Sequence, residues 1–197
     1  MKDQGKLTLI SGEIESGKTS FCRQVAGELK ELGWDVAGIV SPGVFNEGGK
    51  IAIDGLDLRS GEHRRLADLT ATGGPLQGPK TKRWQFSKPA LQWCNEVLQT
   101  ATPCDLLIID ELGPLEFDCG EGLLASFEAN DSRQFKASLT VVRTSLLEKA
   151  RVCWPDAEVL IISDIDNITT LVKEWLQVFW YPIEGVFRTN PPSFCPE

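Results

Sequence analysis

Leu7-Thr8-Leu9-Ile10-Ser11-Gly12-Glu13-Ile14-Glu15-Ser16-Gly17-Lys18-Thr19 joins a short apolar run to a glycine-bracketed loop. Residues 7–10 have the composition of a buried strand. Residues 12–19 match the pattern G-x-x-x-x-G-K-[ST], and the chemistry needs that spacing. Its glycines let the backbone curl until successive N–H groups point into one concavity that fits a phosphate. A helix opening near Gly17 adds its positive end. Lys18 then reaches the β- and γ-phosphates, and the Thr19 hydroxyl serves as a ligand for Mg²⁺. Beyond the loop, Phe21, Val25, Leu29 and Leu32 recur at spacings of 4, 4 and 3, drawing one apolar helix face that Gly33 ends. Strand, glycine loop and amphipathic helix in this order are the setting in which the pattern binds phosphate. Gly12, Glu13, Ile14, Glu15, Ser16, Gly17, Lys18, Thr19 and the following Ser20 are the expected nucleotide-binding residues.

The same alternation runs outward along the chain. Residues 36–40 read as a second strand broken by Ser41-Pro42-Gly43, and 44–58 as a β-hairpin turning at Asn46-Glu47-Gly48-Gly49. The segment 70–82, rich in Gly, Pro and Thr, reads as a long mobile loop. Helices are expected at 89–99, 121–130 and 145–152, with strands at 105–110, 138–143 and 159–163. A closing helix to 178 is expected to be capped by Asp166 or Asn167, and a proline-containing tail from Pro182 to be irregular. This order predicts one α/β domain over 1–197, with a mainly parallel sheet, helices on both faces and an inserted β-hairpin.

A second element bears on chemistry. Leu106-Leu107-Ile108-Ile109 ends in Asp110-Glu111. At the C-terminal end of a parallel strand, Asp110 faces the phosphate crevice and is the expected metal ligand beside Thr19. Glu111, one residue on, is the expected group that orients and deprotonates an attacking water, and with Lys18 it makes up the predicted catalytic pair. Arg143 ends the next strand, where a guanidinium either stabilises γ-phosphate charge or forms a surface ion pair. Lys80, Lys82 and Arg83 form a basic cluster that reads first as a solvated loop, with closure over bound phosphates as the other use. Trp84, Phe86 and Trp93 read first as anchors of loop and helix, with base stacking by Trp84 as the other use. His63 reads as an exposed turn residue.

Composition excludes several classes. With 20 basic and 28 acidic residues in 197, the chain carries a net charge of −8, which argues against a nucleic-acid or anionic-membrane surface. The apolar runs are far too short to span a bilayer, and no signal-peptide core follows Met1. Six scattered cysteines and one histidine give neither a zinc pattern nor a disulfide framework. The expectation is a cytoplasmic monomer whose cysteines are mostly buried.

The sequence resembles the small nucleoside-triphosphatases first described from thermophiles, also represented by the cancer-related nucleoside-triphosphatase of animals. The resemblance rests on the phosphate loop, on Ala37-Gly38-Ile39-Val40-Ser41-Pro42-Gly43 with its Gly-Gly-Lys turn, on Leu66-Ala67, and on Asp110-Glu111-Leu112-Gly113-Pro114-Leu115-Glu116. It implies a RecA-like P-loop fold and Mg²⁺-dependent hydrolysis of ATP, GTP or other nucleoside triphosphates to diphosphates, with loose base selectivity. It implies for Glu116 the support of the metal-site loop. One departure stands out: the family usually has Pro-Gly where this chain has Ile14-Glu15. A carboxylate ~5 Å from a phosphate costs about 3 kcal/mol at an effective dielectric of 20, so Glu13 and Glu15 are expected to point into solvent. Two other functions fit a P-loop chain: a small-molecule phosphotransferase, and a nucleotide-binding accessory protein resembling the molybdopterin-cofactor helpers.

Overall fold

Six residues make up strand β1 (Lys6–Ser11), and every one after the first is buried. The computed structural model describes residues 5–72 and 76–180. β1 is flanked on both sides by parallel neighbours, β8 (Ala137–Val142) and β9 (Glu158–Ile161). Beyond β8 lie β7 (Leu106–Leu112) and then β2 (Val36–Val40), again parallel. The two expected apolar strands therefore form the centre of a parallel sheet, with β8 between the strand that leads into the phosphate loop and the strand that carries Asp110.

Both faces of this sheet are covered, which explains why its strands read as unbroken apolar runs. Leu107 and Ile109 point to one face with Leu7, Leu9 and Ile39, against α2 (Lys88–Gln99), α3 (Ala125–Asp131) and α4 (Leu147–Cys153). Leu106 and Ile108 point to the other, against α1 (Lys18–Glu31) and α5 (Ile168–Trp180). Phe21, Val25 and Leu29 are the buried stripe of α1, whereas Leu32 lies past its end and is 56% exposed. Ser87 caps α2 by accepting the Ala90 N–H, with Pro89 in the first turn.

The expected hairpin is present as β3 (Gly43–Asn46) and β4 (Gly49–Asp57), and the structure extends it. β5 (His63–Leu69) and β6 (Trp84–Phe86) continue the antiparallel wing outward from β4. His63 is thus the exposed first residue of a strand rather than a turn residue. The 70–82 segment is anchored by a 3₁₀ turn at Thr70–Thr72 and by pairing of Lys80 with Gln85; residues 73–75 lie outside the described residues.

Other expectations shift. α3 starts at Ala125, four residues later than expected, because Glu121 and Gly122 belong to a loop tied to Glu116. Asp164, not Asp166 or Asn167, caps the turn before α5 by accepting the Asp166 N–H. Among the described residues, only Cys22 and Cys94 of the five cysteines are buried; Cys104 is half-buried, Cys119 and Cys153 are exposed, and all five are free. Among the described residues, no helix is long and apolar enough to cross a membrane. The tail from Pro182 lies outside the described residues.

Gly38 is a constraint on the centre of the sheet. Its φ is +108°, and a Cβ there would stand 2.0 Å from the Ile108 carbonyl oxygen of β7. Gly38→Ala is expected to cost about 2–4 kcal/mol in urea unfolding, by left-handed strain plus collision. Gly61→Ala, also at positive φ but in open space, should cost about 1 kcal/mol.

Candidate functional site

The C-terminal ends of β1, β7 and β2 open into a cleft of about 1400 Å³, bounded on its far side by the antiparallel wing. Ligands of open α/β sheets bind at this edge, where the chain departs to either side of one strand; here that strand is β1.

The phosphate loop forms one lip. Gly12 has no room for a side chain, since a Cβ would lie 2.0 Å from the Ile162 carbonyl oxygen. Gly17 opens α1 in the left-handed region, with φ 98° and no side-chain cap. The first N–H groups of a 14-residue helix thus remain free to meet an anion. Lys18 is buried along its stem, and its ammonium donates to the Gly12 and Glu13 carbonyls at 2.8 and 2.6 Å. Glu13, Ile14 and Glu15 are all exposed, so both carboxylates do point into solvent. Glu15 has φ 63°, one of two non-glycine residues at positive φ among those described. This is the position at which the resembling family has glycine, and the backbone has kept the glycine conformation.

Asp110 is 1% exposed at the end of β7. Its carboxylate accepts the Ser41 N–H at 3.1 Å and a bond from the Thr19 hydroxyl, while Ser41 Oγ donates to the Asp110 carbonyl. Burial, and next the neighbouring Glu111 charge, push its pKa up to about 6 against the pull of those donors. Glu111 is half-exposed and paired with Arg143, Nε to Oε1 at 2.9 Å. Of the two sequence readings of Arg143, the ion pair is the one present, and its partner is the acid at the cleft. Glu116 sits behind them, accepting the Gly113 N–H at 2.7 Å and the Leu123 N–H at 2.8 Å. Burial raises its pKa despite those bonds. It braces the loop that follows Glu111.

The wing supplies the opposite wall. Lys82, Arg83 and Trp84 line the cleft, whereas Lys80 does not. Trp84 is buried between two cations, Lys50 at 5.6 Å and Arg83 at 5.1 Å from its ring centre, which fits an anchor. Trp93 is buried in the core and Phe86 packs against it. The cleft residues that the sequence did not single out include Phe45, 61% exposed on β3, and Lys50 on β4. Lys50 had a signal, because it follows the Gly48-Gly49 turn that brings a strand back over the cleft.

Of the expected site residues, Gly12, Glu13, Ile14, Glu15, Gly17, Lys18, Thr19, Ser20, Glu111 and Arg143 line this one cleft. Asp110 lies beneath it, hydrogen-bonded to Thr19. Ser16 is buried behind the loop, its hydroxyl without a hydrogen-bond partner among the described residues.

A phosphate loop after β1, with the acidic strand two places away across β8, defines a RecA-like P-loop NTPase fold. A family model described as NTPase matches residues 7–165, and the chain belongs to that family. Among curated relatives, the nucleoside-triphosphatase THEP1 of Thermococcus kodakarensis is 29% identical over 150 residues, covering 72% of this chain and 78% of the relative. That of Methanopyrus kandleri is 31% identical over 109 residues, covering 55% of this chain and 58% of the relative. The chain thus spans little more than half the length of some curated relatives it matches. A solution structure of a human cancer-related nucleoside triphosphatase superposes with a TM-score of 0.66 at 19% identity, covering 93% of this chain and all of that one.

Two outcomes follow from this geometry. Glu15→Gly should stabilise the protein by about 1 kcal/mol, since glycine takes φ 63° without strain, and should tighten nucleotide binding by removing a negative charge from the loop. Unchanged or weaker binding in calorimetry would mean that the acidic loop does not tune affinity. For Asp110, the folded-state pKa of about 6 stands above the ordinary 3.8. The folded protein therefore binds more protons than the unfolded chain between those values, and stability falls as pH rises through that window. In metal-free buffer, Asp110→Asn should be more stable than the parent above pH 6 by about 1–3 kcal/mol, with the two converging below pH 4.

Proposed function

We propose that this protein hydrolyses the β–γ bond of nucleoside 5′-triphosphates in a Mg²⁺-dependent reaction with loose base selectivity. The observation that carries this reading is the convergence of Thr19, Asp110 and Glu111 at the rim of the phosphate loop. Thr19 and Asp110 offer a hydroxyl and a carboxylate already hydrogen-bonded to each other. That hard-oxygen pair fits Mg²⁺, which takes one or two protein ligands and completes its shell with phosphate and water. When bound, the ion withdraws charge from the β- and γ-phosphate oxygens.

The chain's own groups do the rest. The free N–H groups of α1 and the loop cradle the phosphates, and Lys18 shifts from the loop carbonyls to the phosphate oxygens. Glu111 orients a water and accepts its proton as the oxygen bonds to the γ-phosphorus. The bridging oxygen then departs with the diphosphate. Arg143 holds the Glu111 carboxylate in place through their ion pair. Catalysis of this kind is mostly positional and electrostatic. The five free cysteines are in keeping with a reducing, cytoplasmic compartment.

Phosphate release should be measured with Mg²⁺ and each of the common ribonucleoside triphosphates. Turnover should stop on chelation. Lys18→Ala and Glu111→Gln should each lower kcat by about 100-fold or more. Phosphate release that survives both substitutions would remove this mechanism.

A further inference from the structure

Lys50 lines the same cleft as the phosphate loop and Glu111, on the wall formed by the antiparallel wing, and has no ion-pair partner among the described residues. The topology sets the direction. The acidic strand β7 lies on the β2 side of β1, so the reacting end of a nucleotide points toward β2 and the wing attached to it. β4 runs antiparallel to β2, and their pairing ends at Val40 opposite Leu56. The six residues from Leu56 back to Lys50 therefore carry β4 past the end of β2 by up to about 20 Å, over the cleft.

The side chain turns back into that cleft. Its Cδ and Cε pass over Gly43 of β3 and fill the place a side chain would occupy, 2.7 Å from an ideal Cβ at that position. The ammonium rests over the Trp84 ring. Three carboxylates from two elements act on it electrostatically: Glu111 and Asp110 from β7, and Glu15 from the phosphate loop. These groups bracket the space at the reacting end of the loop. Among the described residues, the ammonium has no hydrogen-bond or ion-pair partner. Two other cations of the cleft are already bonded, Lys18 to loop carbonyls and Arg143 to Glu111. Burial lowers the Lys50 pKa and the Arg83 charge adds to that shift, while Glu111, Asp110 and, least, Glu15 oppose it. A half-buried ammonium without a partner carries a desolvation cost that an arriving anion offsets.

From this placement we infer that Lys50 binds the γ-phosphate from the wing side, distinguishing triphosphate from diphosphate and stabilising the charge that develops during β–γ cleavage. The inference rests on the triphosphatase reading for where the nucleotide lies. It adds a residue from the antiparallel wing, delivered by the hairpin rather than by the phosphate loop. Glu15 competes for the same ammonium, so the acidic loop and Lys50 are parts of one electrostatic arrangement.

The test is calorimetric binding of Mg²⁺ with a β,γ-imido triphosphate and, separately, with the diphosphate, to the unmodified protein and to Lys50→Met, Lys50→Gln and Lys50→Arg. The neutral variants should lose about tenfold in preference for the triphosphate analogue while diphosphate affinity, which also reports an intact fold, is unchanged; Lys50→Arg should retain the preference. Where turnover is measurable, the neutral variants should lower kcat by about 100-fold. Neutral variants that prefer the triphosphate as strongly as the parent would overturn the inference. Absence of phosphate release from the unmodified protein would count against the hydrolase reading alone, because the binding preference is read without turnover.

Discussion

A carboxylate buried at the end of β7 organises this molecule. Removing an ionised group from water is costly, and Asp110 is compensated by two neutral hydrogen-bond donors and, more weakly, by the Lys50 charge, while its nearest acidic neighbour, Glu111, repels it. Those donors come from separate elements: Ser41 from the exit of β2 and Thr19 from the first turn of α1. For three chain segments to meet at one oxygen pair, β2 must lie close to β7, and Gly38 is what permits that approach. The sheet order, the helix start and the loop after β2 all converge on a group the fold would be more stable without. Such an arrangement is understandable if the charge is retained for a cation, at the expense of stability.

The antiparallel wing gives the cleft its second wall. A parallel sheet with helices on both faces offers only its C-terminal edge, and ligands there are open to water on one side. Here β4 pairs with β2 for two residues and then continues past it, carrying β3, β5 and β6 along. The cleft is therefore bounded by an acidic strand end on one side and by Lys50, Lys82 and Arg83 on the other. In a protein of net charge −8, a local cationic wall opposite a phosphate loop creates a field directed at one place. The basic residues that read as a solvated loop are, for Lys82 and Arg83, part of that wall.

How legible these features were from sequence follows from the physics of each element. β1, β2 and β7 were readable because strands covered on both faces are apolar at most positions. The phosphate loop was readable because its glycines are steric requirements with fixed spacing. β5 was not, because His63, Arg64 and Arg65 face solvent on the wing and only Leu66 and Ala67 are buried. β6 is three residues long, too short for any periodicity to register. Asp164 was passed over as a cap because the chain makes a 3₁₀ turn before α5, which moves the first capping position upstream. Lys50 escaped for a different reason: the Gly48-Gly49 turn marks a returning strand, but how far β4 overshoots β2, which places Lys50 in the cleft, is a tertiary register. Asp110 and Glu111 were found by type, but the Glu111–Arg143 pair joins residues 32 apart in sequence and emerges only when β7 and β8 lie side by side.

Glu15 brings the loop, the strain and the charge together. A left-handed backbone at a non-glycine residue costs about 1 kcal/mol, and a carboxylate beside a phosphate site adds electrostatic cost. Solvent exposure reduces the second term without touching the first. What offsets the remainder is not in the loop: Lys50 lies across the cleft, within the electrostatic reach of Glu15 and of the two acids on β7. A nucleotide arriving between them trades one anion for another at the same ammonium. The loop's acidity and the wing's unpaired lysine are therefore coupled, and a change at either position alters what the other contributes to binding.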